Sequence, residues 1–342
     1  MKDLYDILRE FEKRPGQRFA LATLVRAQGS SYRRPGARML ICEDGHTVGS
    51  LSGGCLEEEV ASHGRGVLRT GTPVIMEFDT RRRFGCNGAI DIFIEPIGEN
   101  LLTDISSCLN RRASCTVATV FQNSSVGEAA SLPTSKLGSR VVFSVEKDVY
   151  FPSAQKGEAD IFPYRANKDC AFVQEIHPPV RVFIFGEGPD SAPLRRLGRL
   201  LGWKMIDVDR ASALEIEPDQ WTAAVVKSHN YGRDFKALQK MLPINLRYVG
   251  LVGPRQRRDQ LLNDLLDVGV AINAGFFSPA GLDLRGESPE EIALAIVSEI
   301  QRVFAGGTGE SLRERKISIH SPRESDPSAP RPAMVGVSPA NS

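Results

Sequence analysis

Residues 180–185 read VRVFIF, an apolar run of strand length that ends in the turn Gly186-Glu187-Gly188 and leads into a helical pattern over 190–201. Continuous rather than alternating hydrophobicity predicts a strand covered on both faces. The unit then repeats. Short apolar runs at 204–208, 222–226 and 247–252 are followed by helical patterns at 232–242, 255–267 and 289–304. Strands alternating with helices make βαβ units, whose stable form is a parallel sheet with helices on its faces. The second half of the chain is therefore expected to be α/β.

The first half reads differently. Residues 4–12 form an amphipathic helix with Leu4, Ile7, Leu8 and Phe11 on one face. Strand-like runs cover 19–27, 38–42, 73–78 and 89–95. In the last, Ile90, Ile92 and Ile94 alternate with Asp91, Phe93 and Glu95, which predicts a sheet with only one fully apolar face. Leu56, Val60, Val67 and Leu68 recur at helical spacing, further strands are expected at 115–121, 140–144 and 170–176, and 122–139 reads as a loop. This predicts an α+β domain over 1–178. Pro178-Pro179 is a stiff connector to an α/β domain over 179–305. Gly306, Gly307 and Gly309 end the last helix, and 306–342 is expected to be a disordered tail. Ten of residues 321–342 are serine or proline, which leaves too few apolar groups to offset the chain entropy of ordering.

Lysine plus arginine is 43 and aspartate plus glutamate is 42, a net charge of +1. That balance excludes bulk binding to nucleic acid or to a membrane surface. No apolar stretch approaches the roughly 18 residues a membrane span needs. The first 18 residues carry five basic and four acidic side chains, so an uninterrupted signal-peptide core is missing. The expectation is a cytoplasmic protein whose six cysteines, at 42, 55, 86, 108, 115 and 170, are free thiols.

Four segments could carry chemistry. Gly186-Glu187-Gly188-Pro189-Asp190-Ser191 has the first two glycines of a dinucleotide fingerprint, with Ser191 at the third position and Asp209 at the end of the next strand. Such glycines let backbone approach a phosphate at a helix N-terminus; the alternative is a tight turn with no ligand. Lys227-Ser228-His229-Asn230 follows the strand TAAVV, either as part of a ligand crevice or as a helix cap, Ser228 or Asn230, beside a solvated histidine. Gly250-Leu251-Val252-Gly253-Pro254-Arg255 is a third turn of this kind, with Arg257 and Arg258 expected on the solvated helix face. The fourth segment is in the first half. Residues 29–36 read GSSYRRPG, and 52–57 read SGGCLE. Cys55 at a helix start is either a reactive thiol or a small cysteine buried in a tight turn. Cys86 follows Arg81-Arg82-Arg83, a basic loop suited to an anion or simply solvated.

Together these segments are familiar. GSSYRRPGARMLICEDGHTVGSLSGGCLEEEV, GCNGAIDIFIEP, VFIFGEGPDSAPLRRLGRLLGWKMIDVDR, VVKSHNYGRDFKALQKML, YVGLVGPRQRR and FSPAGLDLRGESPEEIALAIVSEI resemble, in order, the signature of the XdhC/CoxI family of xanthine dehydrogenase accessory proteins. The resemblance implies an N-terminal α+β XdhC/CoxI domain followed by a Rossmann-like parallel-sheet domain. It implies a cytoplasmic chaperone, not an enzyme, that binds the molybdenum cofactor (molybdopterin, in its simple or dinucleotide form). It further implies sulfuration with a cysteine desulfurase, delivery to a xanthine dehydrogenase-type molybdoenzyme, and a homodimer. Matching positions are Gly29, Ser30, Ser31, Gly53, Gly54, Cys55 and Glu57 in the first domain, and Gly186, Gly188, Asp209, Arg210, His229 and Gly253 in the second. The sequence departs from the family at Pro189, where histidine is frequent, and at Asn87, Pro254 and Arg285. Two rival readings are an NAD(P)-dependent oxidoreductase and a regulatory nucleotide-binding protein.

Overall fold

The computed structural model describes residues 1–29, 31–79, 88–122, 140–144, 150–151, 170–209 and 219–314. The chain divides into two compact units between Pro178 and Pro179. Among the described residues no helix is long and apolar enough to cross a membrane.

The first unit begins with α1 (Lys2–Lys13), whose Leu4, Ile7 and Leu8 are buried. There follow β1 (Phe19–Gly29), β2 (Arg38–Cys42), β3 (Thr47–Gly49), α2 (Glu57–Thr70), β4 (Val74–Asp79) and β5 (Gly88–Ile97). Then come α3 (Glu99–Asn110), β6 (Cys115–Gln122), β7 (Arg140–Ser144), β8 (Tyr150–Phe151) and β9 (Cys170–Ile176). The five strands β3-β2-β1-β5-β4 form an antiparallel sheet, and β8-β7-β6-β9 form a second. On one face of the first sheet, Val60, Ala61, Val67 and Leu68 of α2 pack on Ala20, Ala22, Met39, Ile41 and Ile92. On the other, α1, α3 and residues of β6 and β9 pack on Phe19, Leu21 and Leu40.

This second cover adds to the sequence reading of β5. Phe93 and Glu95 do not face solvent; they are 1% and 2% exposed. Phe93 packs with Val25 and Phe121, and Glu95 lies beneath α3 with Leu101, Leu102 and Ile105 nearby. Strand periodicity correctly separates the two faces but cannot reveal that the polar-looking one is roofed by later chain.

The second unit contains β10 (Arg181–Phe185), α4 (Ser191–Leu200), β11 (Lys204–Val208), β12 (Thr222–Val226), α5 (Tyr231–Met241), β13 (Tyr248–Leu251), α6 (Arg255–Asp267), β14 (Phe276–Phe277) and α7 (Pro289–Ala305). All pairings in the sheet are parallel, in the order β11-β10-β12-β13-β14. This is a three-layer Rossmann domain. Phe183 and Phe185 face α5 and α6, while Val182 and Ile184 face α4 and α7. The α7 start is a capping box: Ser288 Oγ accepts from Glu291 N and Glu291 accepts from Ser288 N, with Pro289 at the first helical position. Gly306, in the left-handed region at φ 65°, ends it. Any side chain at Gly309 would come within 3.2 Å of Arg302 and 3.7 Å of Leu282, so 306–309 folds back on α7. Residues 315–342, the rest of the expected tail, lie outside the described residues.

Candidate functional site

In the first unit the Ser50–Leu56 loop is built around one carboxylate. Glu57, the first residue of α2, accepts from Leu51 N (3.1 Å), Ser52 N (2.8 Å), Ser52 Oγ (2.7 Å) and Leu56 N (3.1 Å). Ser52 Oγ in turn accepts from Gly54 N and Cys55 N, both at 3.2 Å. Partial burial works to raise the Glu57 pKa, but the bonds from the Ser52 hydroxyl and the loop amides overcome it and hold the carboxyl below its ordinary value. With backbone donors satisfied from inside, the tip of the loop faces outward. Gly54 sits at φ 110°, a conformation that suits glycine, with open space where a side chain would stand. Cys55 is exposed, whereas Cys42, Cys108 and Cys115 are buried. Burial raises the Cys42 thiol and pushes Cys115 up to about 12.

The Gly29–Gly36 loop lies alongside. Gly29 ends β1 at φ 72°. Ser31 Oγ donates to Arg33 O (2.6 Å), and Arg33 donates to Ser50 Oγ (2.8 Å) and pairs with Asp3. The Tyr32 ring comes within 4.0 Å of the point where a Gly53 side chain would begin, and Tyr32 is 70% exposed. Thus Tyr32 stands beside the Gly53-Gly54-Cys55 tip, and Arg33 ties its loop to Ser50. Ser30, Arg81-Arg82-Arg83 and Cys86 lie outside the described residues.

In the second unit, the register aligns the carboxyl ends of four strands. Phe185 is level with Val208 and Val226, and Val226 with Leu251, so Gly186, Asp209, Lys227 and the Val252-Gly253 turn emerge side by side. The strand order reverses between β10 and β12, the switch point where open α/β sheets bind ligands. Gly186, at φ 106°, is required by close approach: a Cβ there would stand 2.3 Å from Ser228 Cα. Asp209 is exposed, and Arg210 lies outside the described residues. His229 is exposed in the left-handed region at φ 54°. Asn230 caps α5 by accepting from Arg233 N at 3.0 Å, so Asn230 rather than Ser228 is the cap. The Ser228 hydroxyl and amide instead donate to Asp234.

Two charges are buried beneath this edge; the sequence reading names Lys227 in a candidate segment but not its burial or its partner, and does not single out Asp234. Lys227 is fully buried; its Nζ stands 2.9 Å from Asp190 Oδ1 and donates to Ser191 Oγ at 2.8 Å. Ser191, at the third fingerprint position, therefore serves the lysine. Asp234 is fully buried and paired with Arg257. Arg257 is thus not on the solvated face as expected: it joins the start of α6 to the carboxylate that shapes the Ser228 turn. Arg258 pairs with Asp259 and donates to Ser278 O. The available signal was Lys227 directly after four apolar residues, Ala223 to Val226, of a fully buried strand, where a charge needs a partner.

Comparison with known proteins agrees with this architecture. Residues 13–79 match the model of the XdhC and CoxI family, and residues 182–300 match the XdhC Rossmann domain. A Bacillus subtilis (strain 168) protein, named as a probable subunit of xanthine dehydrogenase, is 30% identical over 314 residues, covering 82% of this chain and 91% of the relative. The chain belongs to the XdhC/CoxI family. A more distant relative of this XdhC/CoxI chain is the Escherichia coli (strain K12) molybdenum cofactor insertion chaperone PaoD, 21% identical over 84% of each chain. A crystal structure reported as a xanthine dehydrogenase from Bacillus halodurans shares the fold, with a TM-score of 0.72 at 24% identity over 91% of this chain and 98% of that one.

Proposed function

We propose that this XdhC/CoxI protein binds the molybdenum cofactor through the first-domain loops and serves maturation of a xanthine dehydrogenase-type molybdoenzyme. The observation that carries the proposal is the exposed Cys55 thiol on a loop whose shape Glu57 fixes from within. The residues fit such a group: Gly54 leaves open space for approach, Cys55 offers a soft sulfur donor, and Tyr32 presents an exposed ring next to Gly53. On this reading Gly29, Ser31 and Gly53 belong to the same binding loops, and Glu57 acts by positioning. When bound, the cofactor would supply molybdenum redox chemistry to the enzyme that receives it; the chain's own residues hold and present it.

Two relatives' names support this reading, one a component of xanthine dehydrogenase and one a molybdenum cofactor insertion chaperone. On the same reading the protein is a cytoplasmic homodimer, works with a cysteine desulfurase during sulfuration, and turns over no substrate itself. Thiol alkylation tests the site. In protein purified from a host that makes the cofactor, Cys55 should label at least about tenfold more slowly than in protein stripped of pterin, because the ligand covers the thiol. Equal labelling rates in the two forms would remove Cys55 from the site.

A further inference from the structure

A pyrophosphate on a Rossmann turn needs unspent backbone N–H groups at the helix start and no competing anion. The β10 turn lacks two of those donors and already holds an anion of its own. Pro189 has no N–H, and Ser191 N is donated to Gly188 O at 3.0 Å. The Asp190 carboxylate lies inside the turn, 8% exposed, with Oδ1 2.9 Å from where a Gly188 side chain would begin. Its counter-charge comes from below: the Lys227 ammonium, fully buried, is 3.1 Å from that same point and is committed to Asp190 and Ser191. Glu187, exposed on the turn, adds a second negative charge. The turn's positive charge is thus already matched by an anion belonging to the chain.

We infer that Asp190 is a specificity-determining residue: it stands in for a ligand phosphate above Lys227 and closes the glycine turn to nucleotides. The second domain keeps the βαβ scaffold and the switch point but takes no dinucleotide through this turn. Any phosphate of a bound cofactor lies elsewhere. The inference rests on the second unit alone and holds whether or not the first-domain site is as proposed.

The test uses the full chain with ADP and NADH as probes, by isothermal titration. Wild type should show no saturable binding below about 1 mM. Asp190→Ser removes the carboxylate and frees the lysine, and should bind ADP at least about tenfold more tightly than wild type. Adding Lys227→Met should abolish the gain, which separates it from a loosened loop. Wild-type binding of either probe in the micromolar range overturns the inference. So does a folded Asp190→Ser chain, judged by circular dichroism, with no gain. If Asp190→Ser does not fold, Asp190→Asn replaces it, and the wild-type titration decides in any case.

Discussion

The two units each contain a glycine-rich turn that opens a helix, and each turn uses one carboxylate inward. In the first, Glu57 accepts four hydrogen bonds from its own loop, leaving Gly53, Gly54 and Cys55 to face outward. In the second, Asp190 neutralises a lysine buried under the turn. A carboxylate that satisfies backbone donors shapes an open loop; a carboxylate that satisfies a buried cation fills the place a ligand anion would take. Similar motifs therefore lead to opposite accessibility, and what decides is where the nearest buried charge sits.

The contrast is sharpest at Asp190. Asp190→Ala would strand the Lys227 charge with no counter-ion and should cost about 3–5 kcal/mol in urea unfolding, while Asp190→Leu with Lys227→Met should recover most of it. A loss below about 1 kcal/mol would mean that water reaches the ammonium. Glu57→Ala should cost less, about 1–3 kcal/mol, because several amides lose an acceptor near the surface. Its pH dependence has a defined sign. The folded pKa lies below the unfolded value, so the stabilisation is present above the ordinary glutamate range near ~4.3 and is lost as pH falls through the depressed value. The stability gap between wild type and Glu57→Gln should accordingly be constant above about pH 5 and close on acidification. A gap that widens with acid would refute the loop's hydrogen-bond scheme. The smallest effect is expected at Asn230→Ala, about 1 kcal/mol from the lost cap on α5, with the Asp190–Lys227 pair untouched. A loss as large as that of Asp190→Ala would show that the cap and the ion pair are one unit.

Much of the fold is legible in the residues because its strands are short, strongly apolar and separated by amphipathic helices. The runs at 38–42, 204–208 and 222–226 coincide with β2, β11 and β12, and the pattern at 255–267 with α6. Helix α3 carries less signal: its periodicity adjoins β5, and its burial depends on covering Glu95, a contact invisible along the chain. The site is legible in part. Glycine spacing locates both turns, since close approach and positive φ leave a residue-type signature. Pairing of buried charges leaves none: Lys227 lies 36 residues from Ser191, and Arg257 lies 23 residues from Asp234. Such partners are chosen by sheet register, which a linear reading does not contain.

On the proposed reading the open loop of the first unit, and not the closed turn of the second, holds the cofactor. The pterin content of three proteins purified side by side from a molybdenum-cofactor-producing host, measured by fluorescence after oxidation, tests it most directly. The three are wild type, Cys55→Ala and Gly188→Ala, the last chosen because a methyl there meets only the movable ends of Asp190 and Lys227. We predict that Cys55→Ala loses at least about tenfold of its pterin while Gly188→Ala keeps the wild-type amount. Loss in Gly188→Ala with retention in Cys55→Ala, both variants folded, would contradict the claim.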